Sequence, residues 1–407
     1  MSSTEAKVLQ EVAPVAQRFV DAGFSIYLVG GIVRDLQLGA GLEDLDFDLT
    51  TDARPDDIKR ILSPVADAIW TQGERFGTIG AQIAGREYEI TTHRAEWYAH
   101  ESRKPDVEFG DDVVADLSRR DFTVNAMAIQ VPDGELIDPF DGRVALGDGV
   151  LVTPIEPEVS FKDDPLRILR AGRFIARHGF TPSAPLVAAA TAVAERMSIV
   201  SAERVRDELD KILIAPTPSS GVRFLIDVGA FDAVLPLGDV DTDALMSALD
   251  GAVSDLHVRR GVVFASLSAD NRLTAIQNLR YSNADQRHLR QLMDGLEQLR
   301  RRTSWSAEDL RRLVDRVGYD NVEQLFDLAA VFDVGVAARA AFDTLDNSED
   351  LRSFDPVLGG NAVMTELGIE PGPAVGNAMN VLRERRLVAG PATADEELEF
   401  LRAQRGH

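Results

Sequence analysis

The sequence predicts an α+β chain in which a mixed-sheet head is followed by an elongated, all-helical body. Short apolar runs with two-residue alternation fill the first part, at 26–29, 45–49, 78–83, 87–91 and 124–130. From about residue 154 onward the apolar spacing is helical, broken only at 215–221, 238–241 and 347–356. The length of 407 residues exceeds one ordinary domain and suggests about two to four. The divisions fall at 1–150, 151–220, 221–346 and 347–407.

The first element is an amphipathic helix over 8–22, with Val8, Val12, Val15 and Phe19 near one stripe. Residues 26–50 read as a strand, the pair Gly30-Gly31, a short helix with Arg34 and Asp35, a turn, and a second strand carrying Asp46 and Asp48. Asp52 and Pro55 mark the start of a helix over 54–63. Pro132-Asp133-Gly134 makes the turn after 124–130. Residues 160–174 read as one helix with acids in its first turn and Pro165 just inside.

Net charge of -24 and a pI near 4.6 exclude a protein that coats nucleic acid through bulk charge. One local exception stands out. From His257 to Arg316 there are twelve Arg against seven Asp and Glu, which invites an anionic partner, although taken alone the run is better explained as a solvated helical face. The absence of cysteine excludes disulfide frameworks, thiol catalysis and cysteine-held zinc, and fits a cytoplasmic protein. The N-terminus lacks the apolar core of a signal peptide, and no run reaches the length of a membrane span.

Side chains alternate along a strand, so Asp46 and Asp48 share one face while Leu45, Phe47 and Leu49 share the other. An open carboxylate pair suits a hard divalent cation such as magnesium, which keeps waters and substrate phosphates in its shell. Glu89 joins them if its strand is a neighbour; otherwise it lies on an acidic, solvent-facing strand. Gly30 and Gly31 open a helix whose backbone N–H groups can face an anion, with Arg34 on the same side. The ordinary alternative for Arg34 is a salt bridge to Asp35 or Glu43. Arg119 and Arg120 offer planar donors for phosphate or ribose, and Asp121 and Asn125 can hold the adjoining loop. Arg167, Arg170 and Arg173 follow Asp164 at spacing three. They make either ion pairs worth about 0.2–0.5 kcal/mol each or an edge that reads a base, Asp accepting from an exocyclic amine and Arg donating to ring acceptors.

The ordered series LVGGIVRD, DLDFDLTT, YEITTHR, RRDFTVNAMA, DPFDGRVAL, DDPLRILRAGRF and SAERVRDELDKIL resembles the tRNA nucleotidyltransferase and poly(A) polymerase family, of the bacterial and eukaryotic class. The likeness covers roughly 24–214 and returns at LGGNAVMTELGIEPGPAVGNAM. It implies a polymerase β-like nucleotidyltransferase head, a helical nucleobase-recognition neck at 151–220, a tRNA-binding body at 221–346 and a helical tail. It further implies two magnesium ions on Asp46 and Asp48, with Glu89 completing the acidic set. Gly30, Gly31 and Arg34 would hold phosphates, with Arg120 near ribose or phosphate, and Asp164, Arg167, Arg170 and Arg173 would read CTP and ATP. Asp121 and Asn125 belong to the same nucleotide site. The expected reaction is addition of CMP and AMP to the 3' end of tRNA, with no template and with release of pyrophosphate.

Two departures stand out. The base-reading motif has Asp163-Asp164 where the family has Glu-Asp, and no His-Asp pair occurs, so no second hydrolase activity is expected. The stretch 93–110 resembles the loop retained by adenine-adding members. The alternatives are an A-adding partner, which shares every catalytic residue, a bacterial poly(A) polymerase, disfavoured by the acidity, and an inactive RNA-binding scaffold, disfavoured by the complete acid set. Arg300, Arg301 and Arg302 are the candidate tRNA-phosphate contacts. Neither a protein partner nor an oligomeric state is predicted.

Overall fold

Seven strands form one twisted sheet in the order β3-β4-β5-β2-β1-β8-β9. They are β1 (Ile26–Val29), β2 (Phe47–Thr51), β3 (Ala68–Trp70), β4 (Thr78–Ile83), β5 (Arg86–Thr92), β8 (Ala128–Gln130) and β9 (Leu136–Ile137). Between β5 and β8 the antiparallel ladder of β6 (Arg94–Ala95) and β7 (Glu108–Phe109) intervenes. After β9, β10 (Val150–Leu151) and β11 (Thr181–Pro182) pair in parallel. The computed structural model describes residues 3–95 and 108–404.

Only β2 and β5 run parallel within the large sheet; its other neighbours are antiparallel. Alternation then sorts the side chains. Leu28, Phe47, Leu49, Ile79, Tyr88 and Ile90 turn into a core closed by three helices, Ser3–Asp21 through Val8, Val12 and Phe19, Gly31–Gln37 through Ile32 and Val33, and Pro55–Leu62 through Ile58 and Leu62. Each such side chain contributes roughly 1.5–3 kcal/mol on burial. Residues one step out of phase, Asp48 and Glu89 among them, are left on the opposite face.

Two expectations change. Residues 124–130 do not form one strand: Thr123–Asn125 is a 3-10 turn and only Ala128–Gln130 pairs. The turn is held by the Thr123 N–H to the Val152 carbonyl and by the Asn125 side chain, whose amide donates to Asp121. The helix read over 160–174 is two helices, Pro157–Asp163 and Leu166–His178, with Asp164 extended between them at φ -138 and ψ 96. Proline disfavours the helical conformation in the residue before it, so Pro165 sets that break.

Two units can be separated, Met1–Glu208 with Ser220–Val234, and Leu209–Ser219 with Leu235–His407. The first holds residues 1–150 and most of 151–220, but 209–219 go with the second unit and 221–234 with the first, so the division does not follow the expected boundary at 220. The second is helical, and its helix starts are written locally: Asp241, Asp255, Ser268, Ser282 and Ser306 each cap a helix with their own side chain, Ser306 in a capping box with Asp309. Within it Glu349 is buried between Arg311, at 2.7 Å, and Arg386, at 2.8 Å, which fixes the tail helix Pro373–Ala389. No helix among the described residues is long and apolar enough to cross a membrane.

Candidate active site

The parallel register of β2 and β5 sets Asp48 directly opposite Glu89. Asp46 lies two residues earlier, exposed, with buried Leu45 and Phe47 on either side of it. The three acids thus meet on one face, as alternation requires. Burial, then repulsion from Glu89 and Asp46, pushes the Asp48 carboxyl up to about 6, against the pull of Arg120. Oxygen donors that repel one another, with one guanidinium to offset them, fit a divalent cation. Among the described residues no group of three or more His, Cys, Asp or Glu side chains is placed to hold a metal ion. A pair of carboxylates leaves the rest of a hard cation's shell to water and phosphate.

Arg120 reaches this face by way of two anchors. Its Nη2 lies 3.3 Å from Asp116, whose other oxygen accepts the backbone N–H of Arg94 at 3.1 Å. Its Nη1 lies against Gly30, where a Cβ would sit only 2.8 Å away, and Gly30 has φ 72. The backbone conformation favours glycine there, and any Cβ would also displace the end of Arg120. Gly30 also precedes the helix Gly31–Gln37, which carries Arg34.

Arg34 is not directed to the open face. It is buried, chelates Asp35 at 2.8 and 2.9 Å, and donates to Asn125 Oδ1 at 2.7 Å. Its guanidinium also lies over the Phe174 ring at 5.3 Å. Asn125 donates in turn to Asp121, which takes Arg170 at 2.5 and 2.7 Å and the Phe122 N–H at 2.9 Å. Burial alone would raise the Asp121 carboxyl, but Arg170, Asn125 and that N–H together hold it below its usual range. Glu208 continues the chain, 3.3 Å from Arg173 and 3.9 Å from Arg170. Arg34, Asp121, Asn125, Arg170 and Arg173 therefore make one internal network.

Asp164 and Arg167 lie together at the break between the two helices. Arg167 Nη1 donates to Ser160 Oγ at 2.6 Å, and its Nη2 donates to the Arg119 carbonyl. Asp164 Oδ1 accepts the Leu166 N–H at 3.2 Å, and Oδ2 pairs with Arg204 Nη2 at 2.8 Å.

Arg204, Glu208 and Asp116 are absent from the sequence-derived site. The first two have a signal in the i,i+4 spacing within SAERVRDELDKIL, on the helix Ala202–Leu213. Arg300, Arg301 and Arg302 lie in the second unit. Arg300 covers the Phe332 ring at 4.8 Å, Arg302 pairs with Asp309, and Arg301 is the most exposed of the three, 3.7 Å from Glu297. Most of the stretch 93–110 read as an adenine-adding loop, residues 96–107, lies outside the described residues.

Residues 26–152 match the family described as Poly A polymerase head domain, and 179–241 match that described as Probable RNA and SrmB- binding site of polymerase A. The chain is 30% identical over 386 residues to the CCA-adding enzyme of Lactococcus lactis, with 92% of each covered. It is likewise 30% identical over 375 residues to that of Streptococcus pyogenes, with 90% of each covered. The CCA-adding enzyme of Bacillus stearothermophilus, solved in complex with CTP, superposes with a TM-score of 0.81 at 24% identity, over 100% of this chain and 98% of that one.

Proposed function

The chain belongs to the family of CCA-adding enzymes, and on that premise we propose that it transfers CMP and AMP from CTP and ATP to the 3' end of tRNA. It works without a nucleic-acid template and acts in the cytoplasm. The observation that carries this reading is the pairing of Asp48 with Glu89 beside Asp46, with Arg120 as their cationic neighbour. Membership implies a divalent metal, and the oxygen donors here fit Mg2+. Asp46 and Asp48 would hold it; when bound it lowers the pKa of the RNA hydroxyl and neutralises triphosphate charge.

The chain's own groups do the rest. The 3' hydroxyl gives up its proton to solvent as its oxygen attacks the α-phosphorus, the bond from that phosphorus to the oxygen bridging the α- and β-phosphates breaks, and pyrophosphate leaves. Glu89 completes the acidic face, and the positive end of the helix at Gly30 and Gly31 faces the phosphates. Arg120, tethered by Asp116, supplies a fixed cation to the triphosphate or ribose. Arg34, Asp121, Asn125, Arg170 and Arg173 serve the nucleotide by holding that floor in place, because their polar ends are engaged with one another and with Glu208. Asp164 accepts from the exocyclic amine of cytosine or adenine, and Arg167 donates to the adjoining ring nitrogen. Cytosine and adenine share that donor and acceptor pattern, so one pair of side chains serves both.

Residues 1–150 are assigned to catalysis, 151–220 to base choice, 221–346 to tRNA, with Arg300, Arg301 and Arg302 against its phosphates, and 347–407 to a structural tail. Incubation of the purified protein with tRNA lacking its 3' end, and with CTP, ATP or both, tests the reading by product size. Addition of C, C and A that then stops supports it. A long A tail, or no product with an intact fold, overturns it.

A further inference from the structure

One side chain beyond the base-reading pair bears on nucleotide choice. Asp164 is held at both oxygens, Oδ1 by the Leu166 N–H at 3.2 Å and Oδ2 by Arg204 at 2.8 Å. An ionised carboxylate accepts about four hydrogen bonds, so these two leave capacity for an incoming amine. The first contact is local and comes with the turn. The second arrives from forty residues away, on the helix Ala202–Leu213.

Arg204 and Glu208 are i,i+4 neighbours on that helix and share a face. The face matches the ridge opposite in charge: Arg204 meets Asp164, and Glu208 meets Arg170 and Arg173. Arg167 is fixed separately, by Ser160 and the Arg119 carbonyl. The two readers of the base thus have separate anchors. Only that of Asp164 is a half-exposed side chain, Arg204 being 54% exposed.

We infer that Arg204 is a positioning residue for nucleotide selection, holding the Asp164 carboxylate in the orientation that accepts an exocyclic amine and rejects a carbonyl at the same place on the base. This rests on the base-reading role of Asp164 given above. A carboxylate free to swing still meets a cytosine amine, but less often in the right geometry. It also no longer stands fixed against the carbonyl oxygen of uracil. Arg204 touches no reacting atom, so its effect lies in nucleotide affinity and not in the chemical step.

The test measures steady-state incorporation of CTP, ATP and UTP into tRNA lacking its 3' end by wild type, Arg204→Ala, Arg204→Lys and Asp164→Ala, each checked by thermal melting. Arg204→Ala is expected to raise KM for CTP and ATP about 10-fold, to leave kcat within about twofold, and to lower the CTP over UTP preference by a similar factor. Arg204→Lys, which keeps the charge but not the planar fork, is expected to restore part of the loss. An unchanged preference in Arg204→Ala, beside a collapsed one in Asp164→Ala, overturns the inference alone. So does a fall in kcat at constant KM. An unchanged preference in Asp164→Ala removes the base-reading role beneath it.

Discussion

Two charged clusters lie in the first unit and are built on opposite terms. On the sheet face, Asp46, Asp48 and Glu89 crowd together with Arg120 as the cationic neighbour, and Asp48 is pushed up to about 6, by burial first and then by its fellow acids. In the buried network, Asp121 meets Arg170, Asp35 meets Arg34, and Glu208 meets Arg173, so charge is matched by charge. A buried matched network holds shape, and losing one member strands the rest. An unmatched cluster does the reverse: it lowers stability until a cation arrives, and persists where that cation is the purpose.

The sharpest way to break this contrast is to remove one member from each. Asp46→Ala should lower nucleotide incorporation by roughly 10³-fold and leave the melting temperature unchanged or slightly raised, since repulsion is relieved. Near-normal turnover would end the metal-site reading. Asp121→Ala should instead cost roughly 3–5 kcal/mol of stability, read by denaturant unfolding, with activity falling only as the fold does. Chelating divalent cations sharpens the same division: incorporation should stop, and return on adding magnesium, while circular dichroism is unchanged.

Smaller effects follow in the second unit and at the edge of the network. Replacing Arg300, Arg301 and Arg302 with Ala should weaken tRNA binding and reduce the slope of log affinity against log salt by about 1, not 3, because Arg302 is paired with Asp309 and Arg300 covers Phe332. Nucleotide affinity should not move. The smallest effect concerns His178, lowered from 6.5 to about 4 by burial and then by Arg34 and Arg177. A depressed folded pKa means the unfolded chain binds the proton more readily. Stability should therefore be complete above about pH 6.5 and decline toward about pH 4. His178→Gln should flatten that part of the pH profile; an unchanged profile would mean the imidazole takes no part in it.

Much of the acidic face was legible because strand alternation is local: that Asp46 and Asp48 share a face needed only their own neighbours. Glu89 was conditional, since alternation says which way a side chain points but not which strand lies beside it. The parallel β2–β5 pairing supplied that. Partners distant in sequence were the hard part. Arg34 looked like a phosphate ligand from its helix, yet its Asn125 partner lies ninety-one residues on. Asp164 looked like part of one helix because charge spacing ran smoothly through it, and the break is due to Pro165. The matching face of Arg204 and Glu208 was present as spacing, without anything local to show what it met.

The register of β2 against β5 has a further consequence. A slip of one residue would turn Glu89 into the apolar core and bring Tyr88 and Ile90 onto the acidic face. A slip of two would carry Glu89 along by about 6.6 Å, too far to share an ion with Asp48. The greasy side chains Phe47, Leu49, Tyr88 and Ile90 therefore act as a ruler for the spacing of carboxylates they never touch with a polar atom. Variation at those four positions should show up first as altered metal requirement, before it shows as loss of the fold.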